Sequence, residues 1–206
     1  MRFGSVIVAV LLLLSLLFVQ KEASAFWGKK EKMTEELKGK KIVMIIAGKD
    51  FRDEELNVPM AQFKKNGAQV TVASSSMSES KGMLGAKAKP DMLFIDIRPG
   101  EFDAVIFVGG SGATEYWDNP IAHKIARGAV NSNKVLGAIC IAPVTLAKAG
   151  LLGGKTATVW ESEAKQLSIA GAKYTGNAVE VDGKIVTANG PKAAKEFAQA
   201  IMDLLK

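Results

Sequence analysis

Val135-Leu136-Gly137-Ala138-Ile139-Cys140-Ile141-Ala142-Pro143-Val144 decides how this chain reads. Residues 135–139 are short, apolar and bounded by polar neighbours, the pattern of a buried strand. Residues 144–150, Val-Thr-Leu-Ala-Lys-Ala-Gly, read as a helix that ends on glycine. Cys140 stands where strand gives way to helix. Ala138 and Ala142, two residues to either side, are small enough for a sharp turn. This is the layout of a nucleophile elbow, with cysteine as the nucleophile and alanines where hydrolases usually carry glycines. A thiol at a helix N-terminus meets free backbone N–H groups and the positive end of the helix dipole, so its pKa is expected to be lowered. The same N–H groups suit a developing oxyanion. The other reading of Cys140 is a small buried hydrophobe.

Working outward, strands alternate with helices. Residues 41–48 form a continuous apolar run ending in glycine, as in a strand covered on both faces. Residues 53–65 read as a helix with Leu56, Met60 and Phe63 on one face; Pro59 should kink it or mark its start. Strands follow at 68–73 and 103–108, with a Ser-, Gly- and Lys-rich loop holding short strand pieces between them. Residues 120–131 are a helix facing inward with Ile121, Ile125 and Ala129. After the elbow come a strand at 156–160 and a helix at 161–170. Residues 178–181 and 184–188 flank Asp182-Gly183, a two-residue hairpin signal. A closing helix covers 191–205. The class is therefore α/β, with a mostly parallel sheet and one late antiparallel hairpin. Ligands of such sheets sit at the C-terminal strand ends, where the loops 48–55 and 109–112 join Cys140.

The chain has 206 residues, 48% of them hydrophobic, enough for one well-packed domain. Residues 1–25 read as a secretory signal peptide: Arg2, an apolar run over 6–19, and Ala23-Ser24-Ala25 as the cleavage site. An uncleaved anchor is the other reading of that run. Cleavage gives a periplasmic or secreted protein with no membrane segment. Residues 26–40 read as a basic linker and 41–206 as the domain. The net charge is +6, but no basic-aromatic stripe accompanies it, so nucleic acid is not an expected partner. One cysteine cannot form an internal disulfide, and one cysteine with one histidine leaves no structural zinc set. Gly109-Gly110-Ser111-Gly112 does not fit the dinucleotide fingerprint, and residues 150–156 miss the phosphate-loop spacing. No metal or cofactor is expected.

Glu55 is the carboxylate best placed to reach a thiol on a neighbouring strand, as base when ionised or as hydrogen-bond donor when protonated. Asp53 and Glu54 compete for that position, and a first-turn acid also simply complements the helix dipole. Gly109 and Gly110 follow a buried strand and either line an oxyanion pocket or make a turn. His123 falls between inward-facing positions and reads as exposed, which removes the usual base of a Cys–His pair. Tyr116, Trp117 and Trp160 either wall a pocket or pack the core.

Together, Gly109-Gly110, residues 138–143 (Ala-Ile-Cys-Ile-Ala-Pro), residues 187–191 (Thr-Ala-Asn-Gly-Pro) and Asp53-Glu54-Glu55-Leu56 with Pro59 resemble the DJ-1/PfpI family of the class I glutamine-amidotransferase-like superfamily. The resemblance runs from about residue 40 to 206. It implies a flavodoxin-like three-layer sandwich, usually a homodimer, with a reactive cysteine at Cys140. It also implies a glutamate hydrogen-bonded to the thiol at Glu55 and a pocket glycine pair at Gly109 and Gly110. Two positions depart from the pattern. Ile141 stands where the protease-like branch has histidine, which speaks against peptidase activity. Thr158-Val159-Trp160 lacks the pocket histidine common in the glyoxalase- and deglycase-like branch. An export signal is also unusual in a mostly intracellular family. The expectation is a protein whose Cys140, supported by Glu55, acts on a small-molecule electrophile such as a reactive carbonyl or protects against oxidative stress. Gly110 and Ile141 then supply oxyanion N–H groups, and Ile141 and Trp160 line the pocket. The alternative is a non-catalytic redox-sensing or binding module.

Overall fold

The computed structural model describes residues 35–206. The expected signal peptide, and the expected linker up to residue 34, lie outside the described residues. Residues 35–40 pack on the domain, with Leu37 fully buried and its N–H donating to the Asn66 carbonyl at 2.8 Å. Packing thus begins before the expected boundary at 41.

Five parallel strands form the centre: β1 (Lys41–Ile46), β3 (Gln69–Ser74), β7 (Ala104–Phe107), β8 (Val135–Ile139) and β12 (Ile185–Ala188). β6 (Met92–Leu93) extends one edge in parallel, and β11 (Val179–Asp182) closes the other antiparallel to β12. The spatial order is β11-β12-β8-β7-β1-β3-β6. β1 shows why the centre is parallel and double-covered. Ile42, Met44 and Ile46 enter one core with Leu56, Phe63, Phe197 and Ile201. Val43 and Ile45 enter the other with Ile125, Ala129, Leu146 and Leu167. Helices α1 (Asp53–Lys65) and α5 (Ala194–Leu205) therefore cover one face. α2 (Pro120–Asn131), α3 (Pro143–Lys148) and α4 (Ala164–Ile169) cover the other, giving the three-layer flavodoxin-like sandwich. Gly137 in β8 lets α5 come close: a Cβ there would sit 2.9 Å from Phe197 Cζ.

Several expectations shift. α1 runs through Pro59, which only deprives the Glu55 carbonyl of its helical N–H partner. Ile121 is exposed, and Ala122 and Ala126 join Ile125 and Ala129 on the buried face of α2. The strand expected over 156–160 is only β9 (Thr156–Ala157), and it pairs with β10 (Lys173–Tyr174) in a separate small sheet. The hairpin loop is Gly183-Lys184, one residue later than expected, because Asp182 pairs with Ile185. A second small sheet, β2 (Lys49–Phe51), β4 (Ser80–Gly82) and β5 (Lys87–Ala88), stands beside the first helix. Among the described residues no helix is long and apolar enough to cross a membrane, and no group of acids, histidines and cysteines has the makings of a metal site.

Candidate active site

Cys140 directly follows β8 with φ +63°, a left-handed conformation that costs a non-glycine residue about 1–3 kcal/mol. The turn is over-determined by its neighbours. Cys140 N–H donates to the Ala188 carbonyl (2.9 Å), and the Trp160 N–H donates to the Cys140 carbonyl (2.8 Å). The strain of this left-handed turn is held by hydrogen bonds with β12 and with the chain after β9.

Three consecutive acids open α1, and helical rotation sends each elsewhere. Asp53 accepts from Leu84 N–H (2.9 Å) and Ala86 N–H (2.6 Å) in the β4–β5 hairpin. Glu54 forms a two-point pair with Arg52 (2.8 and 3.0 Å). Glu55 turns inward to Cys140, fully buried; Oε2 accepts from Gly109 N–H at 3.1 Å, and Oε1 has no hydrogen-bond partner among the described residues. Gly109 is wedged between acid and thiol. A Cβ on it would lie 2.5 Å from both Glu55 Oε2 and Cys140 Cβ, so those atoms are no more than twice that distance apart. Only glycine fits there.

Two backbone N–H groups, those of Gly110 and Ile141, bear on the sulfur and favour its anion. Both are aimed in the same way. A trans peptide is planar, so gripping its carbonyl fixes the direction of its N–H. Arg52 N–H holds the Gly109 carbonyl at 2.9 Å, which aims the Gly110 N–H. Trp160 N–H holds the Cys140 carbonyl, which aims the Ile141 N–H. Gly110 needs φ +98° and has no space for a side chain, since a Cβ would meet Arg52 N and Asp50 O at 2.4 Å.

The electrostatics correct one expectation. The thiol is not lowered. Burial, then the Glu55 carboxylate, push it up to about 12, against the two N–H groups. The helix contributes little because α3 has six residues, starts three positions after Cys140, and begins on Pro143, which has no N–H to offer. Burial also raises Glu55, to about 8, against the lowering effects of the thiol contact, the Gly109 N–H and Arg52. At neutral pH the pair therefore holds both its protons. Above pH 8 it loses one, and Glu55 can then take the proton from the thiol.

The residues expected from sequence are partly united. Cys140, Glu55, Gly109, Gly110 and the Ile141 N–H converge. The Ile141 side chain does not line the pocket; it packs on the core around β1 and α5. Trp160 lines an open cleft of about 940 Å³ beside the elbow, with Arg52, Tyr174, Asn189 and Lys192. That cleft is mixed in polarity rather than apolar. Tyr116 is core, its hydroxyl donating to the Ile46 carbonyl at 2.8 Å. His123 is half-buried rather than exposed, its Nε2 2.7 Å from the Trp117 carbonyl. Arg52 was not foreseen. It contributes its N–H to Gly109, its charge to Glu55 and Cys140, and its side chain to the cleft. Its place immediately before the acidic triplet was the only signal.

A three-layer α/β sandwich with a cysteine on a strained elbow and a buried carboxylic acid against it defines the class. Residues 40–204 match the sequence profile of the DJ-1/PfpI family, and the chain belongs to that family. It is 43% identical over 175 residues to the Methanocaldococcus jannaschii protein MJ0967, covering 84% of this chain and 85% of that one. It is 29% identical over 164 residues to Deglycase PfpI of Pyrococcus furiosus, covering 80% and 99%. The solved structure of a ThiJ/PfpI domain protein from Brachyspira murdochii superposes with a TM-score of 0.78 at 32% identity, over 81% of this chain and 98% of that one.

Proposed function

We propose that this protein processes small electrophiles, reactive carbonyls above all, by covalent attack from Cys140. The observation that carries the reading is the convergence of one thiol, one buried acid and two aimed N–H groups, braced by Arg52 and Trp160, which also line the neighbouring cleft. Ionised Glu55 removes the thiol proton as Sγ bonds to the carbonyl carbon. The oxygen takes the electron pair of the broken C=O π bond, and the N–H groups of Gly110 and Ile141 stabilise the negative charge. Glu55 then returns the proton to that oxygen. Because this needs Glu55 ionised, turnover rises with pH through about 8. The deglycase among the relatives fits this chemistry.

The test is a panel of dicarbonyls and their adducts assayed with the native protein and Cys140→Ser. Turnover that vanishes with the thiol supports the reading. No Cys140-dependent turnover anywhere on the panel overturns it.

The absence of histidine beside Cys140 supports a second reading, a redox-sensing module whose thiol goes to sulfenic acid; the raised thiol counts against it. Mass spectrometry after mild peroxide decides it: a Cys140 that stays a plain thiol removes the idea. From the pattern of residues 1–25 we also propose export to the periplasm or medium, and from the family resemblance a homodimer. Cell fractionation and sedimentation test these two.

A further inference from the structure

We propose that Trp117 is a positioning residue of the Cys140 site, acting through the Ile141 carbonyl. Two consecutive peptide groups leave the cysteine. The first, between Cys140 and Ile141, carries the N–H that bears on the sulfur, and Trp160 N–H grips its carbonyl at 2.8 Å. The second lies between Ile141 and Ala142. Its carbonyl accepts two bonds: the shorter comes from a side chain, Trp117 Nε1–H at 3.1 Å, and the longer from Val144 N–H at 3.3 Å. The only soft torsions between these two planes are φ and ψ of Ile141. With both carbonyls held, those torsions are fixed, and the Ile141 N–H cannot swing off the sulfur.

Trp117 is itself secured on more than one side. Its carbonyl meets His123 Nε2 of α2 at 2.7 Å. Lys148 of α3 places its ammonium 5.8 Å from the indole centroid while pairing with Asp118 at 2.7 Å. Trp117 is thus anchored to both helices that flank the elbow, through its carbonyl to α2 and through its ring to α3. Packing alone explains the ring but not the donor. A phenyl ring would fill much of the same space and leave the Ile141 carbonyl with only the longer Val144 bond.

The proposal rests on Cys140 being the reacting group, so its test reads the thiol and not turnover. Two full-length variants delete the donor: Trp117→Phe, and Trp117 replaced by 3-benzothienylalanine, which keeps the size of indole without its N–H. The rate of iodoacetamide alkylation is followed against pH, together with hydrogen exchange at the Ile141 amide. Both variants are expected to alkylate about two- to tenfold more slowly at a given pH, the range a single hydrogen bond spans, and to exchange the Ile141 amide faster by a similar factor. Lys148→Ala, which leaves the indole bond in place, is expected to match the native profile. Should Trp117→Phe fail to fold, the isosteric variant decides.

Alkylation profiles that superimpose on the native one overturn the proposal, whatever happens to thermal stability. If the native thiol itself resists alkylation, the reading of Cys140 as the reacting group falls first. Unchanged Ile141 exchange in both variants then overturns the role of Trp117 as well.

Discussion

Asp53 and Glu55 stand two residues apart in the first turn of α1, both shut off from water, and they end in opposite charge states at neutral pH. Burial raises the pKa of each, and the helix N-terminus favours the anion of each. What differs is the number of donors. At Asp53 the N–H groups of Leu84 and Ala86 take one oxygen each and more than offset burial, so its pKa is lowered. At Glu55 one oxygen has a single N–H and the other has none, so burial wins and the pKa rises to about 8. The first acid is a clamp on the β4–β5 hairpin. The second is a proton held in reserve beside a thiol. Burial does not assign a carboxylate its role; the backbone around it does.

The clamp is the place to break that contrast first. Asp53→Ala strands two N–H groups and is expected to cost about 2–3 kcal/mol, as read by urea denaturation at neutral pH. A loss under 0.5 kcal/mol would mean the hairpin is held by something else. The pH dependence should also carry two signatures of opposite sense. Asp53, with its folded pKa depressed, contributes stability that is present above its unfolded pKa of 3.8 and lost as pH falls through the folded value. Glu55, raised from 4.5 to about 8, contributes stability that is full below 4.5 and lost as pH rises to about 8. One proton limits that second slope to about 1.4 kcal/mol per pH unit. Glu55→Gln should flatten the slope between those values, leave the acid limb untouched and abolish carbonyl turnover. A slope that survives in Glu55→Gln belongs to some other group.

This division also marks what the sequence disclosed. The elbow was legible because a strand, a lone cysteine and a helix in ten residues leave few alternatives. The strand–helix alternation and the hairpin were legible for the same reason, periodicity and turn chemistry being local. The choice among Asp53, Glu54 and Glu55 was not legible from the helix itself, since all three share the first turn; the family resemblance made it. The raised thiol was missed because the length of α3 and the depth of burial are tertiary facts. Arg52, and the bonding role of Trp117, were missed for a deeper reason. Each works on a main-chain carbonyl, that of Gly109 or Ile141, and every residue has one. An acceptor of that kind leaves no mark in the residue string. The same holds for Trp160, whose backbone N–H braces the cysteine; the sequence only offered its ring, as a pocket wall or as core.

The smallest expected effect sharpens the contrast most, because it moves one acid and not the other's clamp. Arg52 pairs with Glu54 at the surface, with about a third of each side chain exposed, so the pair itself is worth no more than about 1 kcal/mol. Its charge nevertheless reaches inward and lowers Glu55. Arg52→Gln keeps the backbone N–H that holds the Gly109 carbonyl and removes the charge together with the two-point pairing to Glu54. Stability at neutral pH should change by less than about 1 kcal/mol, since Glu55 is protonated there in either protein. The pH at which turnover rises should move upward, because Glu55 then ionises without a neighbouring cation. The Leu84 and Ala86 amides, followed by hydrogen exchange, should stay protected, because the charge of Arg52 is the smallest of the effects that lower Asp53 and the two N–H bonds remain. A turnover profile that does not move would separate Arg52 from the proton on Glu55. It would also show that the rise with pH comes from a group other than the buried acid.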